Sequence, residues 1–245
     1  MIKKIHYIWL GSNPKSRLIK KCIKSWKKHM PDWEIIEWNE SNLNIDINKY
    51  CRQAYDEKKY AFASDVLRFD VLYREGGLYF DTDVKMLKSF EPIVCENEFF
   101  SGFEMNNRIN PGLVMYSRNP GNEVIKEVLD NYQNEVFEVK QVEKMKVVGD
   151  YFYDVISKYG FKLNDTYQKY HNVTIFPSTY FSPTDGIRSI LNYTENTYSE
   201  HLFAGSWLGS KTRKKNFVRK FFYVLFKPSG VKRLKKIFGW RKNND

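Results

Sequence analysis

Three cysteines, Cys22, Cys51 and Cys95, are all that the 245 residues hold, and they lie far apart with no C-x-x-C pair. So odd and scattered a set excludes a disulfide framework or a cysteine-based zinc centre and fits a reducing compartment. Long hydrophobic runs are also missing: no stretch approaches the roughly 18 apolar residues that a membrane span requires. The N-terminus begins with two lysines, as a secretory signal does. Its apolar run is short, contains His6 and lacks a small-residue cleavage site, so it reads as a first strand. The chain has no internal repeat, low-complexity segment or linker before residue 210. These absences lead us to expect one domain over 1–210 that stays in the cytoplasm, followed by a distinct tail over 211–245.

Acidic residues are scarce in one place only. Residues 211–245 hold thirteen Lys and Arg against a single acid, so the formal charge of +11 resides in the tail and the other 210 residues sum to −1. Nucleic-acid-binding proteins spread basic residues over the folded surface, and this body is neutral. That argues against nucleic acid as a partner, and charge is silent about the main site. What is plentiful is apolar and aromatic material, 42% and 17% of the chain. It suffices for a large core and hints at a flat-faced ligand such as a sugar or a base.

The pattern along the chain is that of an α/β domain. Ile5 to Leu10 reads as a buried strand closed by Gly11-Ser12-Asn13-Pro14. Residues 16–29 follow as a helix with Leu18, Cys22, Ile23 and Trp26 on its apolar side, then a strand from Trp33 to Trp38. Helices are expected over 47–58 and 60–75, the latter with Phe62, Val66, Phe69 and Tyr73 on one face and Asp65, Arg68 and Leu72 on a neighbouring stripe. Gly76-Gly77 ends it through a left-handed cap. Leu78-Tyr79-Phe80 begins a central strand running into Asp81-Thr82-Asp83. Further strands are expected at 98–103, 112–116, 173–176 and 201–204, and helices at 121–133 and 147–159.

Asp81 and Asp83, two apart on an extended segment, would project to the same side. Ligands of open α/β sheets bind beyond the carboxyl ends of strands, and two carboxylates there repel unless a cation lies between them. A hard divalent ion completed by phosphate oxygens and waters suits such a pair, and it would neutralise a diphosphate leaving group as a Lewis acid.

The context of the pair is Ala63-Ser64-Asp65-Val66-Leu67-Arg68 and Leu72-Tyr73-Arg74-Glu75-Gly76-Gly77-Leu78-Tyr79-Phe80-Asp81-Thr82-Asp83. It resembles the sugar-binding region with a D-x-D motif of glycosyltransferase family 32, which includes capsule and lipo-oligosaccharide transferases and is related to the clostridial glucosylating toxins. The resemblance extends from Ile5–Gly11, Ser25-Trp26 and Glu37-Trp38-Asn39 to Ala204-Gly205-Ser206-Trp207. It implies a GT-A type fold, a mixed central sheet flanked by helices, and a retaining transferase that takes sugar from a nucleotide donor, expected to be UDP-linked. By the same resemblance Trp9 stacks on the base beside Gly11, and Asp65 and Arg68 bind the donor sugar and diphosphate. Tyr79 lies by the ribose, Asp81 reaches the ribose and metal-bound water, and Asp83 ligates Mn2+ or Mg2+. Ser206 and Trp207 close over the leaving diphosphate. Asp65, Arg68, Asp81, Asp83 and Trp207 are the expected catalytic set.

Other readings stand beside these. Asp65 and Arg68 at i,i+3 also suit a surface ion pair, Trp9 a core position, and His6 a satisfied strand histidine. His201, six residues before Trp207, is either a third metal ligand with Asp81 and Asp83 or a structural histidine. Asn110 either faces donor or acceptor or is a turn residue. Family members carry T-G-P in the acceptor region where this chain has Val147-Val148-Gly149-Asp150, which leaves acceptor contacts undefined. The tail alternates Phe, Val, Leu and Trp with Lys and Arg around Pro228-Ser229-Gly230, the composition of an amphipathic segment on anionic membrane. The expected acceptor is therefore a lipid-linked or other surface glycan at the inner face of the cell membrane, with a protein acceptor as the alternative.

Overall fold

The computed structural model describes residues 1–105, 107–139, 145–184 and 192–204. Ser206, Trp207 and the tail over 211–245 lie outside the described residues. Strand β1 (Lys4–Ile8) leads through helix α1 (Arg17–His29) to β2 (Glu34–Trp38), which pairs with β1 in parallel. Helices α2 (Lys49–Asp56) and α3 (Tyr60–Glu75) precede β3 (Gly77–Tyr79), which lies parallel to β1 on its other side. The chain continues with β4 (Val84–Met86), α4 (Glu91–Glu96), β5 (Phe99–Glu104), β6 (Arg108–Ile109) and β7 (Met115–Ser117). After α5 (Glu123–Tyr132) and α6 (Val148–Ile156) come β8 (Gln168–Tyr170), β9 (Val173–Phe176), α7 (Ser178–Phe181) and β10 (Ser199–His201).

The described strands form a mixed sheet in the order β2-β1-β3-β7-β5-β9-β8, with β6 on β5, and a separate antiparallel pair of β10 with β4. Both faces of the sheet's central strands β3, β7, β5 and β9 are buried, whereas the edge strands β2 and β8 carry exposed polar residues. Ile5, Tyr7, Leu78, Phe80 and Phe100 face a core shared with Cys22 and Trp26 of α1. Ile8, Tyr79, Phe99 and Met115 face a second core shared with α2, α3, α5 and α6. The result is a three-layer mixed α/β domain.

Helix α1 is clamped onto β4. Trp26 is fully buried, donates its indole N–H to the Val84 carbonyl at 2.8 Å and stacks on Phe80 at 5.6 Å. Next to it, the Ser25 hydroxyl donates to the Cys22 carbonyl and accepts from the Met86 N–H. The Ser25-Trp26 pair therefore fixes α1 against the chain just beyond Asp83.

Several expectations are corrected here. Leu18 is 37% exposed, because Ile19, not Leu18, joins Cys22 and Trp26 on the buried side of α1. Helix α3 is buried nearly all round rather than on one face, since it runs beneath the sheet and between neighbouring helices. Gly76 does end it with positive φ, but at φ 64° and ψ −166°, an extended conformation open to glycine rather than the αL cap. The Asp81-Thr82-Asp83 segment is a turn between β3 and β4, closed by the Val84 N–H on the Asp81 carbonyl, and not a continuous extended strand. Strands β4, β6 and β8 and helices α4 and α7 are short elements without periodicity enough to declare themselves.

Candidate active site

The site grows from the carboxyl end of β3. In register with β1 (Ile5 beside Leu78, His6 beside Tyr79), β3 ends level with the loop that carries Trp9 and Gly11. Helix α3 passes behind, and its Arg68 is 3% exposed. The Arg68 guanidinium donates Nε–H to the Ser64 carbonyl at 3.2 Å and places Nη2 2.7 Å from Asp65 Oδ1 and 3.2 Å from Asp81 Oδ1. Its Cζ lies 5.3 Å from the Tyr79 ring centre, and the Tyr79 hydroxyl donates to Asp81 Oδ1 at 2.9 Å. Asp65 and Arg68 are thus no surface pair: the i,i+3 contact is buried and extended to a third partner.

The other carboxylate is held by β10 and the residues after it. Asp83 Oδ1 lies 3.2 Å from His201 Nε2, Oδ2 accepts the Ala204 N–H at 2.7 Å, and the Asp83 carbonyl accepts the Leu202 N–H. Burial pushes the Asp83 carboxyl up, but His201 and the Ala204 N–H more than offset this and hold it at about 2. Burial lifts Asp65 to about 7 despite Arg68, and burial with the Asp83 charge raises Asp81. Burial also opposes the charge on Arg68, and the facing Asp81 carboxylate restores it. Three carboxyl groups therefore face one guanidinium and one imidazole, and the repulsion of Asp81 by the ionised Asp83 marks a local excess of negative charge between those two.

That excess is the test of fit for a divalent cation. Two carboxylates with the rest of the shell supplied by phosphate and water are a donor set magnesium or manganese accepts, and Asp81 and Asp83 supply it. His201, either a third ligand or a structural histidine by its sequence, lies within hydrogen-bond reach of Asp83. Its Nε2 faces Asp83, and its Nδ1 is buried with no hydrogen-bond partner among the described residues.

The remaining candidates divide. Trp9 is partly buried on the same sheet edge, with its indole N–H on the Asn13 carbonyl at 2.7 Å and the Lys15 ammonium 5.6 Å from its ring. Gly11 has φ 87°, and a side chain there would run into the Tyr60 ring at the start of α3. Asn110 is a turn residue: Oδ1 accepts the Gly112 N–H and Nδ2 donates to Glu104. His6 is structural, as its Nδ1 accepts from the Trp38 indole and its Nε2 donates to the Gly76 carbonyl. Gly112 escaped notice in the sequence. Its carbonyl accepts the Asp81 N–H at 2.8 Å, and a Cβ there would collide with Asp81 Oδ2 and Arg68 Nη1. The sequence placed Gly112 only at the start of an expected strand over 112–116, whereas the strand begins at Met115 and Gly112 lies in the loop before it, against the site.

Residues 16–100 match a family model described as a glycosyltransferase sugar-binding region containing a DXD motif. The chain is 26% identical to "Subversion of eukaryotic traffic protein A" of Legionella pneumophila, across 52% of this chain and 24% of that one. It is 33% identical to a protein named "Toxin" of Photorhabdus asymbiotica, across 36% of this chain and 4% of that one. The match thus spans about a quarter or less of these relatives' own length. Among solved structures it is similar to PaToxG Glycosyltransferase, at TM-score 0.49 and 22% identity, over 64% of this chain and 69% of that one. Asp65, Arg68, Tyr79, Asp81 and Asp83 all fall inside the matched segment, so the buried cluster lies in the part of the chain that is similar to a glycosyltransferase sugar-binding region containing a DXD motif.

Proposed function

We propose that the chain is a retaining glycosyltransferase that moves a sugar from a UDP-linked donor to a lipid-linked or other surface glycan. The observation that carries this reading is the buried Asp65–Arg68–Asp81 cluster beside Asp83 at the carboxyl end of β3, inside the matched segment. Asp65 accepts hydroxyl groups of the donor sugar, and the Arg68 guanidinium, already held on two carboxylates, faces the sugar and diphosphate without reorganising. Trp9 and Gly11 receive the base at the same sheet edge, and Tyr79 orients Asp81. Asp81 and Asp83 would hold a divalent cation, which supplies Lewis-acid neutralisation of the leaving diphosphate. Ser206 and Trp207 complete the donor site in this proposal, and the tail over 211–245 holds the enzyme at the inner face of an anionic membrane.

A protein acceptor is the second reading. It is favoured by two relatives whose names, "Toxin" and "Subversion of eukaryotic traffic protein A", are not those of glycan-building enzymes. The two readings separate when the purified chain is given radiolabelled UDP-sugars with both a bacterial envelope lipid extract and a eukaryotic protein lysate. Label extracted with lipid-linked glycan is the expected result. Label found only on protein would overturn the acceptor assignment and leave the transferase reading intact.

A further inference from the structure

The neutral body conceals a charge pattern on its first helix. Helix α1, Arg17–His29, contains no acidic residue, and Ile19, Cys22 and Trp26 form its buried side. Arg17, Lys20, Lys21, Lys24, Lys27 and Lys28 are all exposed. Their spacings of three and four place them in one stripe along the helix, about 16 Å long at the helical rise per residue. None of the six makes an ion pair among the described residues. Asp83, an acid close enough to act on Cys22 of this helix, is held by His201 and the Ala204 N–H, and Glu37 and Glu91 hold Lys15 at 2.7 Å and Lys3 at 3.3 Å. Like charges at i,i+4 repel, so such a stripe destabilises the helix unless something anionic covers it.

A second feature lies at the N-terminal end of the stripe. A pocket of about 380 Å³ is lined by Arg17, Leu18, Lys21, Cys22, Lys85 and Leu202. Leu18 is exposed at its mouth, and Leu202 donates its N–H to the Asp83 carbonyl, so the pocket borders the candidate active site. We propose that the outer face of α1 docks on an anionic phospholipid bilayer, with the cations on headgroup phosphates and Leu18 and the pocket against the apolar part of a lipid. A nucleic acid would answer the charge but brings no apolar element for the pocket, so the bilayer is the better fit. Docking along α1 sets the Asp83 edge beside the membrane. The value of that placement for transfer rests on the function proposed above; the binding itself does not.

The test uses the full chain and vesicles of phosphatidylserine with phosphatidylcholine at low salt. Lys20→Gln, Lys24→Gln and Lys27→Gln together remove three cations outside the candidate active site. At about 1 kcal/mol per basic residue near the surface, binding falls on the order of a hundredfold. The tail contributes equally to both proteins, so the ratio reports α1. The matching Lys→Arg triple variant should bind as the wild type does, and neither variant should melt below the wild type, the Gln variant gaining slightly from relieved repulsion. The proposal is overturned if the Gln variant binds like the wild type or if the Arg variant is weakened equally. Wild-type binding to pure phosphatidylcholine at the same strength would also overturn it, as would a Gln variant that loses only duplex DNA binding.

Discussion

Gly112 shows how closely the charge cluster is fitted. Its backbone supports Asp81 from beneath, and the space where a side chain would project is filled by Asp81 Oδ2 and Arg68 Nη1. Gly112→Ala should therefore displace the carboxylate and the guanidinium together, at an overpacking cost of about 1–3 kcal/mol. Donor turnover should fall much further than stability. Steady-state kinetics beside a thermal melt checks this, and wild-type kcat/KM in the variant would show that the contact is slack. Asp65, Arg68, Tyr79, Asp81 and Asp83 were legible as candidates because their short spacings match the family motif, and the structure gathers them from one helix, one strand and the turn that follows it. Gly112 was not, since its role arises only when a turn 31 positions away is laid under Asp81. The pairing of His201 with Asp83 across 118 positions was legible as a candidate residue but not as a hydrogen bond.

The strands behind the site make a claim of their own. His6 joins β1 to its neighbours on both sides, accepting from Trp38 of β2 and donating to Gly76 at the entry to β3. Both ring nitrogens are committed to the neutral form, and burial lowers the pKa from 6.5 to about 4. The folded state thus resists a proton that the unfolded chain takes up. The stabilisation is complete above pH 6.5 and is lost as pH falls from 6.5 towards 4, by roughly 3 kcal/mol in all. Urea unfolding of the wild type and His6→Asn across that window should give curves that converge as pH falls, and parallel curves would contradict the locked tautomer. Longer elements such as α1, α3 and α5 were readable from helical spacing, and β5 and β9 as short apolar runs. The three-residue strand β4 was not, and its absence from the sequence reading is why Asp81 to Asp83 looked like one extended segment instead of a turn.

The molecule as a whole joins a sheet edge carrying the matched DXD segment to a basic helix that leads away from it. Summing charge over the body hid that helix, because scattered acids elsewhere cancel its lysines numerically without facing them. Donor chemistry, acceptor and membrane contact are separate claims, and only the first bears on every other. It is tested by incubating the purified chain with a panel of nucleotide sugars and manganese and measuring release of the nucleoside diphosphate. Asp83→Asn is run in parallel, since it keeps an acceptor for the Ala204 N–H while removing the charge. The wild type should release diphosphate from one donor and stop in chelator, and Asp83→Asn should be slower by about 10³-fold, the scale of several kcal/mol of lost charge stabilisation. Equal release by the two proteins, or undiminished release in chelator, would contradict a metal-assisted glycosyltransferase centred on Asp81 and Asp83.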